Sequence, residues 1–339
     1  MNNKKRINCL RQDPISKEWV IFSSVRKSRP HHHKTDSAAH QLPRYDPKCP
    51  FCPGNEKMLP GILFETPGIG DQQWSTRSVP NLYPALSPEG NIEREKSGFY
   101  LCMGAYGHHE VIIDHPRHNK GVHQFEYQQM QSVIETYHTR YRELMRDPNV
   151  VMVTIFRNHG KRAGTSLPHP HSQIVASPTV PRSIRLQEIR AEEYFDDMGS
   201  CIYCDLMHNE IDASERIIAL NDSFVSFIPY AAKVPYEIWT LPRRHTANFG
   251  SISEKEKEDL SVMMRDLISL LYNHLGDPDY NYLIHSYTRF KSEEPHLHWY
   301  IQTIPRILTR AGFEMGSGFF INPDLPEENA RSLKSQQQD

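Results

Sequence analysis

The chain has 339 residues, enough for two domains of roughly 150 residues each and a substantial core. With 39 Lys and Arg against 41 Asp and Glu, its formal charge of −2 gives no field that would gather nucleic acid or an anionic membrane, so small-molecule partners are expected. No run approaches the ~18 apolar residues of a membrane span, and Met1–Asn8 lacks the apolar core of a signal peptide, so a cytoplasmic protein is expected.

In chain order, Asp13–Phe22 reads as a turn followed by a short strand. Arg26 and Arg29 follow on a segment that Pro30 ends; forked guanidinium groups suit phosphate oxygens, although such a segment alone is more often a solvated loop. His31, His32 and His33 sit in a polar stretch and read as loop. In Cys49-Pro50-Phe51-Cys52-Pro53-Gly54 the two-residue spacing lets both thiolates reach one zinc, and the prolines and glycine supply the turn. Asn81–Leu86 reads as a strand end running into a turn, and Glu110–His118 as a strand that delivers His118 past its end. A helix is predicted from about Gln124 to Met145, then a buried β-branched strand over Val150–Phe156. Asn158, Gly164, Thr165 and Ser166 form a small-residue loop leading into Pro168-His169-Pro170-His171-Ser172-Gln173. The prolines stiffen that segment, so its two imidazoles can take different roles.

The second half repeats this order. Cys201 and Cys204 form a second pair; Glu237–His245 mirrors the strand ending at His118 (245 − 118 = 127); and a helix follows, with Ser253 and Glu256 as a capping box. A strand over Tyr280–Ile284 and then His296-Leu297-His298 complete the copy (296 − 169 = 127). Features this unusual, recurring in one order, predict a duplicated α+β unit: an antiparallel sheet with helices packed on it in each half. The domains are expected at 1–182 and 183–331, with 332–339 a disordered tail. The cysteine pairs are 152 apart, so the first half carries 25 extra residues between its pair and its strand, a natural place for substrate contacts.

Each half offers a metal set. The first comprises Cys49, Cys52, His118 and one histidine of the 169/171 pair; the second comprises Cys201, Cys204, His245 and one of 296/298. Two cysteines and two histidines make a closed tetrahedral zinc set of the structural kind. A metal on His169 would fix the backbone and turn His171 outward as an oriented nucleophile. An N–P bond to histidine is reactive enough to be passed on, which suits phosphorus-group transfer. Arg26, Arg29 and the backbone donors of Gly164, Thr165 and Ser166 would hold phosphates, and Gln173 can donate to a phosphate oxygen but cannot supply a proton.

These motifs resemble the galactose-1-phosphate uridylyltransferase family, a branch of the histidine-triad superfamily with two such domains fused in one chain. The resemblance rests on the Cys-x-x-Cys pairs, Asn-Leu-Tyr-Pro at 81–84 and Gly-Thr-Ser-x-x-His-Pro-His-x-Gln at 164–173, and runs from about Asp13 to Arg331. It implies ping-pong transfer: His171 takes the nucleotidyl group of a nucleotide sugar such as UDP-glucose, and a sugar 1-phosphate, galactose 1-phosphate first of all, then receives it. It further implies that Arg26, Arg29, Ser166 and Gln173 contact phosphates, that Phe51 and Asn81 line the nucleoside pocket, that Asn158 lies beside the phosphates, and that Glu314 sits near the sugar hydroxyls. The first zinc would take Cys49, Cys52, His118 and His169. For the second, repeat symmetry points to His296 and the family pattern to His298. The family habit implies a homodimer. Ser172 stands where the uridylyltransferases more often carry Cys or Gly, and the stretches Gly312–Pro323 and His298–Gln302 look more like the ADP-glucose phosphorylase branch, whose members give adenylyl groups to phosphate. Two other classes compete: a non-catalytic zinc-stabilised interaction module, and a nucleotide hydrolase, against which Gln173 stands where hydrolases carry a third histidine. His108, His109 and His159 carry no assigned role.

Overall fold

The computed structural model describes residues 8–24, 26 and 42–335. The first half supplies strands β1 (Cys9–Gln12), β2 (Trp19–Phe22), β3 (Phe64–Pro67), β4 (Trp74–Pro80), β5 (Arg94–Ser97), β6 (Tyr100–Met103) and β7 (His108–Ile113), helix α1 (Tyr127–Leu144), and strands β8 (Met152–His159) and β9 (His171–Ser177). The second half supplies helices α2 (Arg182–Met198) and α3 (Ile202–Ala213), strands β10 (Ile217–Leu220), β11 (Phe224–Phe227) and β12 (Ile238–Pro242), helix α4 (Glu254–Leu275), and strands β13 (Tyr280–His285) and β14 (Tyr300–Pro305). Helix α5 (Gly312–Ser317), strand β15 (Phe320–Asn322) and helix α6 (Pro326–Ser335) follow.

The expected α+β duplication is present, but the two sheets are continuous. Ten antiparallel strands run in the order β10-β11-β12-β14-β13-β8-β9-β7-β4-β3, with β8 and β13 paired at the seam. Apart, each half would expose the unpaired backbone of an apolar strand; pairing removes both edges. A small sheet joins β1, β2 and β15, and β5 with β6 forms a separate hairpin within the extra residues of the first half.

Helices α1 and α4 lie side by side on one face. In α1 the buried Met130, Val133, Ile134, Tyr137, Tyr141 and Leu144 recur at helical spacing, and in α4 so do Leu260, Met263, Met264, Leu267, Ile268 and Leu271. Each such side chain contributes about 1.5–3 kcal/mol when fully buried. The capping box forms as predicted: Ser253 Oγ accepts from Glu256 N at 3.2 Å, and Glu256 Oε2 accepts from Ser253 N at 2.7 Å. Gly276, at φ 70°, ends α4 in the left-handed conformation that glycine adopts without strain.

Three expectations are corrected. The tail does not begin at Ser332, because α6 continues to Ser335 and its Leu333 is buried in the main core. Helix α1 starts at Tyr127 rather than Gln124, after a short 3₁₀ turn over Val122–Gln124. Helices α2 and α3 were not foreseen; α2 buries only Ile184, Glu188 and Ala191, so its apolar period is faint. Together they cover the opposite face of the second half through Ile202, Tyr203 and Met207 against Phe227, Trp239 and Tyr300. On the first half that face carries Cys49, Phe51, Cys52, Trp74, Val111 and Ile113. No helix among the described residues is long and apolar enough to cross a membrane.

Candidate active site and metal centres

Strand β9 lies between β7 and β8, and alternation places His171 and Gln173 on the sheet face opposite α1. Ile113 pairs with His171, Arg157 with Ser172, and Asn158 with Asn281. Since Asn158 and His171 are the next residues beyond the Arg157–Ser172 pair, one row across the seam reads Ile113, His171, Asn158, Asn281.

His171 is buried, with the Phe51 ring 5.5 Å away centroid to centroid. Its Nδ1–H donates to the His169 carbonyl at 2.8 Å, which leaves the Nε2 lone pair free. Burial pushes its pKa down to about 4, opposed by that hydrogen bond and assisted by the charge of Arg157. The imidazole is therefore neutral near pH 7, the form a nucleophile needs.

The loop before it turns through Gly160 (φ 83°) and Gly164 (φ 90°). A Cβ at Gly160 would lie 1.9 Å from Asp279 Oδ1, so only glycine fits. Thr165 Oγ1 donates to the Asn158 carbonyl at 2.6 Å, and Ser166 is exposed. Asn158 Oδ1 accepts from Asn281 Nδ2 at 2.7 Å, so the Asn158 amide hydrogens face the loop. Asn81, at the end of β4, uses Oδ1 to accept from Tyr83 N at 2.9 Å.

Arg26 sits in the turn just beyond β2, the strand that pairs with β15. Arg29 and His31 to His33 fall outside the described residues. Glu314 is buried in α5, where its carboxylate accepts from Ala311 N at 3.0 Å and Ile321 N at 3.2 Å. It lines a cavity of about 650 Å³ with Arg162 of the first half and Lys233, Gln302, Arg306 and Arg310 of the second.

The two Cys-x-x-Cys pairs each meet two histidines. Ligand atoms of Cys49, Cys52, His118 and His169 lie within 4.8 Å of one another, all four buried; Cys201, Cys204, His245 and His298 do the same, with Cys204 and His245 more open to solvent. Zinc bonds of about 2.3 Å to sulfur and 2.0–2.1 Å to nitrogen at a tetrahedral angle imply S···N separations of about 3.5 Å. The observed values are 3.7 Å for Cys49–His169, 3.5 Å for Cys52–His118, 3.6 Å for Cys52–His169, 3.3 Å for Cys204–His245 and 3.4 Å for Cys204–His298. Both donor sets fit a tetrahedral zinc ion.

The second cluster takes His298 and not His296, which corrects the reading from repeat symmetry. His169 and His298 have matching contacts: each presents Nδ1 to a thiol and donates Nε2–H to a carbonyl three residues before the other histidine, His115 O at 2.8 Å or Pro242 O at 2.9 Å. They are 129 residues apart, so two extra residues precede β14 and the constant offset fails there. Two positions after each come His171 and Tyr300. The second half thus carries a tyrosine ring, stacked on His285 at 4.4 Å, in the place of the nucleophile.

Beneath the site, toward α1, lies a polar network that the sequence did not reveal. Arg157 pairs with Asp114, both fully buried. Ser172 Oγ donates to Asp114 Oδ2 at 2.8 Å and accepts from Tyr137, which accepts from Tyr282. Burial pushes Asp114 up to about 6, while Arg157 and Ser172 pull it back, so it is ionised at neutral pH. Ser172 therefore faces the core rather than the substrate side.

Comparison with known proteins follows from this geometry. Residues 1–181 match the N-terminal domain of galactose-1-phosphate uridyl transferase, and residues 187–331 match its C-terminal domain. The chain belongs to the galactose-1-phosphate uridylyltransferase family. Within that family it is 32% identical to an ADP-glucose phosphorylase of Arabidopsis thaliana, over 96% of this chain and 92% of the relative. It is 26% identical to a galactose-1-phosphate uridylyltransferase of Thermotoga maritima, over 96% and 97%. The crystal structure of an Arabidopsis ADP-glucose phosphorylase with bound ADP-glucose superposes with a TM-score of 0.83 at 31% identity, covering 97% of this chain and 98% of that one. The protein is accordingly a nucleotidyltransferase-family enzyme.

Proposed function

We propose that the protein transfers an adenylyl group from ADP-glucose to inorganic phosphate through His171. The observation that carries this reading is the 32% identity, along nearly the whole chain, to an ADP-glucose phosphorylase, against 26% to a uridylyltransferase. It reverses the order of the sequence-based expectation, which put uridylyl transfer to galactose 1-phosphate first. In the first half-reaction His171 Nε2 attacks the α-phosphorus, the bond from that phosphorus to the bridging oxygen breaks, and glucose 1-phosphate leaves. In the second, a phosphate oxygen attacks the same phosphorus, the N–P bond breaks, and ADP leaves with His171 restored.

The residues divide this work. The His169 carbonyl fixes the His171 tautomer, and the first Cys₂His₂ set, holding zinc, would fix His169. Bound there, zinc supplies structural rigidity. Gln173, Asn158 and the Gly164–Ser166 backbone would donate to phosphate oxygens whose charge grows in the transition state, with Arg26 and Arg29 as countercharges and Glu314 toward the sugar. Phe51, against the His171 ring, and Asn81 would border the nucleoside.

The test is intact-protein mass spectrometry after separate incubation with ADP-glucose and UDP-glucose. An adenylyl adduct that phosphate discharges as ADP is expected, and His171→Gly should abolish it while retaining metal. A uridylyl adduct discharged by galactose 1-phosphate would establish the uridylyltransferase reading, which the Thermotoga relative favours. No adduct with either would favour an interaction module.

A further inference from the structure

His109 lies on β7, facing the same side as Gln173 and diagonal to it in the antiparallel register. Three heavy atoms surround its ring nitrogens. Ala85 N is 3.0 Å from Nδ1, while Gln173 Oε1 is 2.9 Å and Asn81 Nδ2 3.1 Å from Nε2. The backbone amide of Ala85 can only donate, so Nδ1 must accept and the ring proton sits on Nε2. That proton faces one acceptor, Gln173 Oε1. Asn81 Nδ2 cannot supply another, because Asn81 Oδ1 is held by the Tyr83 amide and its NH₂ group is the end turned to the ring.

The consequence is a fixed polarity for Gln173. Turning its amide round would set NH₂ against the His109 Nε2–H, donor against donor. With Oε1 held, the Gln173 NH₂ group points away from His109 and is available as a donor. The same proton leaves the Asn81 NH₂ without an acceptor on the imidazole, so it too is available. One imidazole, itself oriented by a backbone amide in the Asn81–Leu86 turn, thus fixes which end of the Gln173 carboxamide is presented, while the Tyr83 amide fixes that of Asn81.

We infer that His109 is the positioning residue that makes Gln173 a hydrogen-bond donor to the transferring phosphoryl group. This rests on the role proposed for Gln173 above. His109 moves no proton in the reaction and touches no reacting atom. It removes the alternative amide orientation, in which Gln173 would present its oxygen lone pairs to an anionic phosphate and repel it.

The test uses two variants of like shape and opposite polarity. His109→Gln retains a donor toward Gln173 Oε1; His109→Glu offers only acceptors and turns the Gln173 amide round. The rate of adduct formation from ADP-glucose should fall about 100-fold in His109→Glu, the usual cost of losing one preorganised donor, and remain within about tenfold of wild type in His109→Gln. The loss should lie in kcat, with little change in KM. In a Gln173→Ala background, His109→Glu should add no further loss. Equal rates for the Gln and Glu variants, or a full additional loss without Gln173, would overturn the inference. Nitrogen-15 NMR of the wild type gives a readout independent of activity: His109 is expected as the Nε2–H tautomer, and an Nδ1–H tautomer would overturn its placement. A wild-type protein that forms no adduct would instead remove the proposed function and, with it, the phosphoryl role given to Gln173.

Discussion

The side-chain amide of Asn281 donates to Asn158 Oδ1 at 2.7 Å, across the strand pair that joins the two halves. Asn281 also donates to the Ala163 carbonyl at 3.0 Å, in the loop before His169. A residue of the second half therefore orients both an amide and a loop beside His171. Replacing Asn281 by Leu should leave the fold intact at a cost of about 1–3 kcal/mol, since two acceptors lose their donor. Adduct formation should slow by about tenfold or more as Asn158 becomes free to turn. Stopped-flow or quench measurement of the adduct checks this; an unchanged rate would show that the Asn158 amide has no part in phosphate binding.

The metal sets make separable predictions. Purified protein should carry two zinc ions by elemental analysis, and Cys52→Ser and Cys204→Ser should each carry one. Only the first substitution should abolish adduct formation, because only the first cluster includes His169, whose carbonyl orients His171. Equal activity in the two variants would refute that assignment.

His296 and His298 can be told apart in the same way. His298→Ala should lose one zinc, whereas His296→Ala should keep both, since His298 Nδ1 lies 3.4 Å from Cys204 Sγ and His296 is not part of the cluster. Metal loss from His296→Ala would contradict the geometry.

Arg157→Met should destabilise the protein by about 3–5 kcal/mol, the usual cost of leaving one charge of a buried pair alone. Here the abandoned group is Asp114, fully enclosed beneath the nucleophile strand. Denaturant titration at pH 8 measures this, and a change below about 1 kcal/mol would contradict the enclosure.

Asp277 predicts a pH dependence. The hydrogen bond from His159 Nε2, at 3.0 Å, holds its pKa below the ordinary 3.8, outweighing the opposing effect of burial. A depressed carboxylate contributes stability that is present above its unfolded pKa and lost as pH falls through the folded one. Asp277→Asn, which tolerates the left-handed φ of 57° at this position, should therefore be less stable than wild type at neutral pH. The difference should close below about pH 4. A deficit that persists at pH 2 would place its origin in packing.

Much of this protein was legible in its sequence. Cysteine spacing, the Pro168–His171 segment and the repeated order of strand, helix and strand arise from local chemistry: two thiolates reaching one ion, prolines fixing φ, side chains alternating along a strand. Those features were enough for the duplicated α+β unit and the family resemblance; they left the fourth ligand of the first set open between His169 and His171, and the resemblance implied His169. The repeat offset pointed to His296, because a uniform offset says nothing about a two-residue insertion before β14, whereas the family pattern pointed to His298; the position of the Nδ1 atoms around Cys204 agrees with the family pattern. Those features could not reveal that the two sheets are one, since strand edges carry no mark of their partner. His109, Asn281, Asp114 and Arg157 are ordinary residues in the chain. Their significance comes from which hydrogen-bonding atom meets which, and only the tertiary structure brings those atoms together.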